Sequence, residues 1–407
     1  MSEPIQNLQE WIQEVSGDEW HWYIKVLSGN DTLLNDSHQA GPYIPKSVLF
    51  SLFPSLRSPS TLNPRVEFEA FIDSHSTRSV VKAIWYNNRV VDDGTRDEAR
   101  ITNWGGRGSP LLDPGATGSI CIFAFRQRPF ANAEVCRIWL CDSVLEEDYL
   151  TNIVGPIEPG RWLFVPATSA AAQLVLPEPV ESSCSLAPHE IPTEWLTNFP
   201  AGSEIVARAA ASRRSSGLPA DERLLRRRDC EYEIFRSIEE AWVLPRVKEG
   251  FATVDLFMHF AHSVTNRRKS RSGTSLQLHV RRILEEEGVP HAYDVISEEK
   301  KRPDFLFPSA EAYQNPQANS EQLRMLAVKT TCKDRWRQIL NEAEKIPEKH
   351  LLTLQEGVTT DQFSEMRAAG VKLVVPTPLI KSYPKIIRAE LISLGDFIKG
   401  VASLSRP

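Results

Sequence analysis

The first 165 or so residues carry short runs of aromatic and β-branched residues, separated by stretches rich in turn-forming residues. Runs of this length and composition are typical of β-strands, whose side chains alternate between two faces. Five such runs predict strands, at Trp20–Leu27, Val66–Asp73, Ser79–Tyr86, Ile120–Phe125 and Val135–Leu140. The pattern favours an all-β domain built as a barrel or a sandwich.

The second half of the chain alternates helical periods of apolar residues with short apolar runs. Helices are predicted at Asp221–Trp242, Ser275–Glu287, Arg335–Lys345, Thr360–Ala369 and Lys385–Ile398. Strands are predicted at Pro303–Phe307, Leu323–Lys329, His350–Gln355 and Val371–Val375. Strands that alternate with helices indicate an α/β domain around a central, mixed sheet that is partly parallel.

Between the two patterns, residues 166–192 are rich in Ala, Ser, Pro and Glu and show no clear period, as expected of a surface linker. A chain of 407 residues is also too long for one ordinary core. We therefore predict two domains, residues 1–165 and 193–407, joined by this linker.

Composition narrows the class of protein. With 41% hydrophobic and 25% charged residues the chain is globular, and it holds no apolar run of the roughly 20 residues needed to cross a bilayer. Residues 1–7 lack the basic and apolar regions of a signal peptide, so we expect a cytoplasmic protein without a membrane partner. The six cysteines show no CxxC spacing, which predicts free thiols rather than a zinc ribbon or a disulfide framework.

The net charge of −6 argues against a protein that coats nucleic acid without sequence preference. It still allows local basic patches. The sequence contains two clusters that predict such patches, Arg267, Arg268, Lys269 and Arg271 in one and Arg223, Arg226, Arg227 and Arg228 in the other.

Three residues of the second half suit metal-dependent phosphodiester hydrolysis. Asp304 and Lys329 lie on apolar, strand-like runs, and Glu342 lies on the predicted helix that follows. The reaction needs carboxylates to hold a divalent cation and a group that orients the attacking water. Two acidic ligands are enough for Mg²⁺, which keeps waters and phosphate oxygens as further ligands. Taken singly, a Pro-Asp pair or an exposed Lys or Glu is more often ordinary surface.

The order of these residues resembles the PD-(D/E)xK nucleases. Their usual signature has an acid two positions before the lysine, where this chain has Ala327, so Glu342 would supply the second acid from the helix. The closer resemblance is to the EcoRII-type restriction endonucleases. It is carried in this half by Ser263–Arg271, Pro303–Ala310, Met325–Ala343 and Gly370–Pro376.

This resemblance implies a restriction-endonuclease-like fold and roles for several residues. Asp304 and Glu342 would bind Mg²⁺, Lys329 would orient the water, and Tyr313, in a predicted loop, would belong to the active-site region. Lys333, Asp334 and Arg335 would read a G·C-rich target, since Arg and Lys donate to guanine and Asp accepts from cytosine. For each of these three, a helix cap or solvated surface is the structural alternative.

The resemblance gives two further expectations for this half. Arg267, Arg268 and Lys269 would contact phosphates, although a solvated charged loop is an equally reasonable interpretation. Gln277 stands where the family has a glutamate, and a neutral amide is a poorer metal ligand. Either that helix is outside the metal site, or a second ion is bound more weakly.

The first half resembles the EcoRII effector domain, a DNA-binding pseudobarrel. The resemblance runs through Tyr23–Asp31, His38–Pro45, Ala83–Arg89, Thr95–Thr102 and Arg107–Leu111. It implies a set of DNA-contacting residues: Lys25, His38, Arg89, Arg96, Glu98 and Arg100. Without the resemblance, the segment from Arg96 to Arg100 would only be a charged loop.

The whole chain is thus expected to be a homodimeric Type IIE restriction endonuclease that cuts double-stranded DNA at CCWGG, where W is A or T. It would bind a second copy of the target as an effector and need no nucleotide cofactor. Two other classes stay open. One is a DNA-binding regulator with a degenerate nuclease half, which Ala327 and Gln277 would suit, and the other is a nicking or mismatch-repair endonuclease of the same superfamily.

Overall fold

The computed structural model describes residues 7–35, 41–167, 184–212, 217–298, 301–333 and 335–404. Within these residues the strands form two separate sheets, one of seven strands and one of five. None of the helices in the described part of the chain is long and apolar enough to span a membrane. Most of the predicted linker lies outside the described residues, because residues 168–183 are not among them.

The first sheet belongs to the amino-terminal half. Its strands are β1 (Trp20–Val26), β2 (Arg65–Ile72), β3 (Thr77–Tyr86), β4 (Glu98–Thr102), β5 (Ile120–Arg126), β6 (Val135–Leu140) and β7 (Trp162–Val165). They lie in the order β4-β3-β2-β6-β5-β1-β7, with only β2 and β6 paired in parallel. The sheet curls into a half-barrel, which confirms the predicted pseudobarrel.

Both faces of this sheet are covered. One face buries a core that includes Tyr23, Phe68 and Phe123, and the other buries Trp11 and Trp139. The helices of this half are α1 (Leu8–Glu14), α2 (Lys46–Leu52), α3 (Asn88–Val91) and α4 (Val144–Val154). Sequence periodicity missed the short strands β4 and β7, because β4 has a charged, half-exposed face and the apolar run of β7 is short.

Four helices precede the second sheet. They are α5 (Thr193–Thr197), α6 (Gly202–Ser212), α7 (Ala220–Glu249) and α8 (Val254–Glu286). The last two are longer than the predicted helices, because α7 continues beyond Trp242 to Glu249 and α8 begins at Val254 rather than at Ser275. They pack against each other and carry both basic clusters that the sequence singled out.

Those clusters are largely internal, which corrects the prediction of surface patches. Arg271 is buried and forms two hydrogen bonds with Glu231, and Arg228 is buried against Glu158. Arg223 and Arg227 are buried and pair with Glu286, whereas Arg226 is exposed and pairs with Glu222. Acidic residues on neighbouring elements neutralise these arginines, and a count of charge along the sequence cannot show that.

The second sheet is mixed, as predicted. Its strands are β8 (Ala292–Tyr293), β9 (Phe305–Phe307), β10 (Arg324–Lys329), β11 (Lys349–Thr353) and β12 (Val371–Val374), in the order β12-β11-β10-β9-β8. The strands β10, β11 and β12 are parallel, and β8 and β9 are antiparallel to their neighbours. The remaining helices are α9 (Ala310–Gln314), α10 (Thr360–Ala368), α11 (Thr377–Ile380) and α12 (Leu394–Leu404).

Two further helix predictions were wrong in extent. The described residues after Lys329 form a 3₁₀ helix, Arg335–Ile339, instead of the predicted α-helix, and Ala343 then takes a left-handed backbone conformation. The last helix begins at Leu394 rather than near Lys385, because the Asp221 carboxylate accepts the backbone N–H groups of Leu394 and Gly395. Both boundaries depend on tertiary contacts that the local pattern does not contain.

The cysteine prediction also needs correction. Cys184 and Cys230 form a disulfide, and Cys121, Cys136, Cys141 and Cys332 are free and buried. The paired residues are 46 positions apart and meet because the chain around Cys184 packs against α7. No spacing motif marks such a pair.

Candidate active site

Asp304 and Lys329 meet where β9 begins and β10 ends. The two strands are antiparallel, with Leu326 opposite Phe305, so the residues that flank this pairing lie side by side. The backbone N–H of Val328 donates to Asp304 Oδ2 at 2.7 Å, and Lys329 Nζ lies 4.0 Å from the same oxygen. The strand register therefore brings the predicted carboxylate and amine together.

The Asp304 carboxyl is mostly withdrawn from water. Burial raises its pKa, while Lys329 and the Val328 N–H act in the opposite direction and the net shift remains upward. Removal from water disfavours the ionised form of a carboxyl, and a nearby cation favours that form.

Glu342 reaches the same site from a turn rather than from a helix. The Lys349 ammonium group holds this turn by donating to the carbonyl oxygens of Glu342 and Ala343 at 2.5 and 2.7 Å. Glu342 Oε2 is buried and accepts no hydrogen bond from any described residue. Burial raises the Glu342 pKa to about 7, with Asp304 adding to the shift and Lys329 opposing it.

The two carboxyls fit a divalent cation. Each is desolvated, Asp304 raises the pKa of Glu342, and one oxygen of Glu342 has no hydrogen-bond partner among the described residues. Within the same residues no group of three or more His, Cys, Asp or Glu side chains is arranged to hold a metal. Two acidic ligands, with water and phosphate oxygens as further ligands, match the coordination that Mg²⁺ prefers.

Tyr313 lies in α9 rather than in a loop, so that secondary-structure prediction was wrong. Its ring is buried in the core, its hydroxyl donates to Glu298, and its carbonyl oxygen accepts from Lys345 Nζ at 2.9 Å. Lys345 follows Glu342 by three residues. The tyrosine therefore braces the turn that carries Glu342, and none of its hydrogen bonds to described residues reaches Asp304 or Lys329.

Two of the predicted base-reading residues follow β10, Lys333 in the loop and Arg335 at the start of the 3₁₀ helix. Lys333 Nζ donates to Ser119 Oγ at 2.6 Å, and Arg335 lies 3.9 Å from Asp148. Both partners belong to the amino-terminal half. Asp334 lies outside the described residues.

The predicted phosphate-contacting residues lie on α8. Arg267 stacks over Phe199 with its guanidinium carbon 4.0 Å from the ring centre, and Arg268 makes two hydrogen bonds of 2.7 Å to Glu239. Lys269 donates to Asn152 on α4 of the amino-terminal half. All three are engaged by protein groups in this conformation.

The amino-terminal half presents a cavity of about 890 Å³ lined by several predicted DNA contacts, among them Lys25, Arg96 and Arg100. Glu98 bridges the two arginines, accepting from Arg96 at 3.0 and 2.6 Å and from Arg100 at 3.1 and 2.9 Å. The strand β4 places Glu98, Arg100 and Thr102 on one half-exposed face.

The other predicted residues of this half are arranged differently. Lys25 is buried and pairs with Asp31 at 2.7 Å. Arg89 is exposed in α3 and does not line this cavity. His38 lies outside the described residues.

Sequence reasoning missed two residues, one that holds the loop after β10 and one that joins the halves. Gln355 is buried, and its Oε1 accepts the N–H groups of Cys332 and Lys333 at 2.9 and 3.0 Å. Glu356 lines the 890 Å³ cavity although it belongs to the catalytic half, and its carbonyl oxygen accepts the Gly29 N–H at 2.7 Å. Neither residue is part of a motif, so only the folded structure identifies them.

Comparison with known proteins agrees with this two-part organisation. Residues 16–169 match the family described as restriction endonuclease EcoRII, N-terminal, and residues 235–398 match the family described as EcoRII C terminal. The chain is 44% identical over 398 residues to the Type II restriction enzyme EcoRII of Escherichia coli, covering 97% of each sequence. The chain belongs to the EcoRII family of Type II restriction endonucleases.

Solved structures with looser similarity include metal-depleted Ecl18kI in complex with uncleaved DNA, with 18% identity, coverage of 54% of this chain and 86% of that one, and a TM-score of 0.43. The B3 domain of UbaLAI restriction endonuclease with cognate DNA covers 39% of this chain and 98% of its own, with 22% identity and a TM-score of 0.27.

Membership of the EcoRII family confirms the predicted family, the two-part fold and the restriction endonuclease activity. It also implies double-stranded DNA as a partner and a divalent metal cofactor in general terms. The metal's identity, the target sequence and the roles of individual residues go beyond family membership.

Proposed function

We propose that this EcoRII-family endonuclease cuts both strands of DNA at CCWGG, depends on Mg²⁺, acts as a homodimer in the cytoplasm, and binds a second target copy through its amino-terminal half. The observation that carries the catalytic part is the pair of desolvated carboxyls, Asp304 and Glu342, beside Lys329. A nearly palindromic target suits a two-fold dimer.

In this proposal Asp304 and Glu342 hold the cation, which would neutralise charge on the scissile phosphate. Lys329 orients the attacking water, since its ammonium group lies beside Asp304 and is half-buried at the end of β10. Burial disfavours the ionised form of Glu342, and a bound cation would favour it. Cleavage leaves a 5′ phosphate.

The amino-terminal half covers the catalytic DNA-binding surface in this proposal. Three predicted catalytic-half contacts face amino-terminal residues: Lys333 faces Ser119, Arg335 faces Asp148, and Lys269 faces Asn152. A cavity of about 400 Å³ between α4 and the Thr330–Thr331 segment separates the same surfaces. DNA that reaches the active site must replace these contacts.

Binding at the amino-terminal cavity would weaken that cover through Glu356. Its carboxyl lies near Lys25 and Asp31, and burial raises its pKa, an effect that Lys25 opposes. A DNA phosphate entering beside Lys25 would repel this carboxylate. Since Glu356 adjoins Gln355, which holds the Lys333 loop, displacement of Glu356 is transmitted to the loop that would read the target.

Plasmids that carry zero, one or several CCWGG sites test the proposal. With Mg²⁺, cutting should occur only at those sites, should be slow on one site and fast on several, and should vanish in Lys329→Ala but not in the control Lys399→Ala, whose side chain is exposed on α12. Equal rates per site would remove the effector role. Binding without cutting would indicate a regulator with a degenerate nuclease half, and single-strand cuts would indicate a nicking enzyme.

A further inference from the structure

The helix α8 reaches the active site through Gln277. Its Nε2 donates to Asp304 Oδ1 at 2.6 Å. The sequence left open whether this helix takes part in the site at all, because the family glutamate is replaced by an amide. The hydrogen bond shows that the helix does contact the candidate metal ligand.

Both oxygens of Asp304 are held by different parts of the chain. Gln277 on α8 donates to Oδ1, and the Val328 N–H on β10 donates to Oδ2 at 2.7 Å. Two donors on separate atoms fix the plane of a carboxylate. A carboxylate oxygen can accept more than one bond, so each oxygen keeps a lone pair for a cation.

Tyr293 sets the orientation of the Gln277 amide. The Tyr293 hydroxyl lies 3.4 Å from Gln277 Oε1 and donates to it, which leaves Nε2 as the group that faces Asp304. The ring of Tyr293 is half-buried beside Phe305 and packs under Arg281, so the hydroxyl is held in place. Two successive hydrogen bonds therefore connect Tyr293 to Gln277 and Gln277 to Asp304.

We propose that Gln277 is a positioning residue that orients the Asp304 carboxylate without adding charge. Because the amide is neutral, the site has two acidic ligands and takes one divalent cation per chain. This inference rests on the proposed role of Asp304 and Glu342 as the cation's ligands. A glutamate at position 277 would supply a third carboxylate, which favours a second cation.

Cation binding to the full chain without DNA gives the first test. Free Mn²⁺ is counted by electron paramagnetic resonance during titration, with Asp304→Asn as the blank. We expect one Asp304-dependent ion per wild-type chain and an affinity within about threefold for Gln277→Ala, since a positioning group does not touch the ion. Gln277→Glu should bind Mn²⁺ at least about tenfold more tightly or take a second ion.

Single-turnover cleavage at saturating Mg²⁺ gives the second test. Loss of orientation in Gln277→Ala should lower the rate by about tenfold or more while the concentration of DNA needed for half-saturation is unchanged. Thr274→Ala is the matched control, because Thr274 is exposed one turn earlier on α8 and its hydroxyl donates to the Ser270 carbonyl oxygen of the same helix. Its rate and its melting temperature should equal those of the wild type.

Three outcomes would overturn the proposal. An unchanged rate in Gln277→Ala would show that the hydrogen bond does not position Asp304. A large loss of Mn²⁺ affinity in the same variant would make Gln277 a metal ligand. Unchanged Mn²⁺ binding in Gln277→Glu would contradict the claim that the neutral amide limits the site to one cation. If instead the wild type binds no Asp304-dependent ion, the proposed metal site itself fails, which is a separate result.

Discussion

Lys333 donates a hydrogen bond of 2.6 Å to Ser119, and this bond joins the loop that follows the candidate catalytic lysine to the amino-terminal half. The backbone of the same loop is held by the buried Gln355 amide. Lys333, which is expected to read bases, is therefore hydrogen-bonded to another residue of the same chain. For Lys333 to reach DNA, the two halves must separate at this point.

Weakening that contact should release activity. In the double variant Ser119→Ala and Asp148→Asn, Lys333 and Arg335 lose their amino-terminal partners, so we expect several-fold faster cutting of a one-site plasmid and little change on a plasmid with several sites. The measurement is the initial rate on both plasmids. Glu19→Gln, an exposed acid of the same half, is the control, and equal stimulation by this variant would show a general charge effect.

The buried ion network should dominate stability. Arg271 joins Glu231 and Glu158, and all three side chains are almost fully buried. Burial alone would raise the Glu158 pKa, but Arg228, Arg271 and Arg161 lower it to about 2. Removing one member leaves an unpaired buried charge, so Arg271→Ala should lower the free energy of unfolding in urea by about 3–5 kcal/mol.

A surface pair on the same helix provides the comparison for that value. Arg281 and Glu285 are exposed, and exposed pairs contribute about 0–1 kcal/mol. Arg281→Ala should therefore cost far less than Arg271→Ala. Similar losses in the two variants would mean that the buried network adds nothing beyond an ordinary surface pair.

The raised pKa of Glu342 predicts a pH dependence of metal binding. The carboxyl titrates at about 7 in the folded, metal-free chain against 4.5 as its ordinary value, so a cation must displace a proton below pH 7. Affinity for Mn²⁺ should rise by up to about tenfold per pH unit up to pH 7 and level off above it. Glu342→Gln should bind weakly with no such slope.

The same shift predicts the stability of the metal-free protein. Between pH 4.5 and about 7 the folded chain holds a proton on Glu342 that the unfolded chain has lost, so stability falls as pH rises through this window. Glu342→Gln should remove this loss and melt at a higher temperature than the wild type at pH 8, but not at pH 4. A melting difference that does not change with pH would contradict the shift.

Glu356 gives a prediction for the amino-terminal cavity. Its carboxylate lies among groups expected to meet phosphates, so Glu356→Gln should tighten binding of a CCWGG duplex, measured by fluorescence anisotropy without metal. The gain should shrink as salt is raised, because salt screens the repulsion between this carboxylate and the DNA phosphates over about 10 Å at 0.1 M. If Glu356→Gln leaves the affinity unchanged at low salt, the duplex does not bind beside Glu356 in the amino-terminal cavity.

The sequence was sufficient for what depends on local pattern. The five predicted strands of the first half appear within a few residues of their expected bounds, and strands β9 and β10 bring Asp304 and Lys329 together as expected. Glu342 also reaches the site, although through a turn held by Lys349 rather than a helix.

The features that the sequence did not predict depend on contacts between distant segments. The disulfide of Cys184 and Cys230 needs the chain around Cys184 to pack against α7, and the burial of Arg271 needs α7 to pack against α8. The link from Gly29 to Glu356 needs the two halves in place, and a side chain at Gly29 would lie 2.5 Å from the Ser382 carbonyl oxygen. A one-dimensional pattern carries no information on such approaches.

The most direct test of the whole account is cleavage of a one-site plasmid with and without a short CCWGG duplex added in trans. The account predicts that the duplex accelerates cutting by the wild type, that Arg96→Ala cuts at the basal rate without acceleration, and that Lys329→Ala does not cut under either condition. Acceleration that persists in Arg96→Ala together with Arg100→Ala would contradict the assignment of the effector site to the amino-terminal cavity. Cutting by Lys329→Ala would contradict the assignment of the active site.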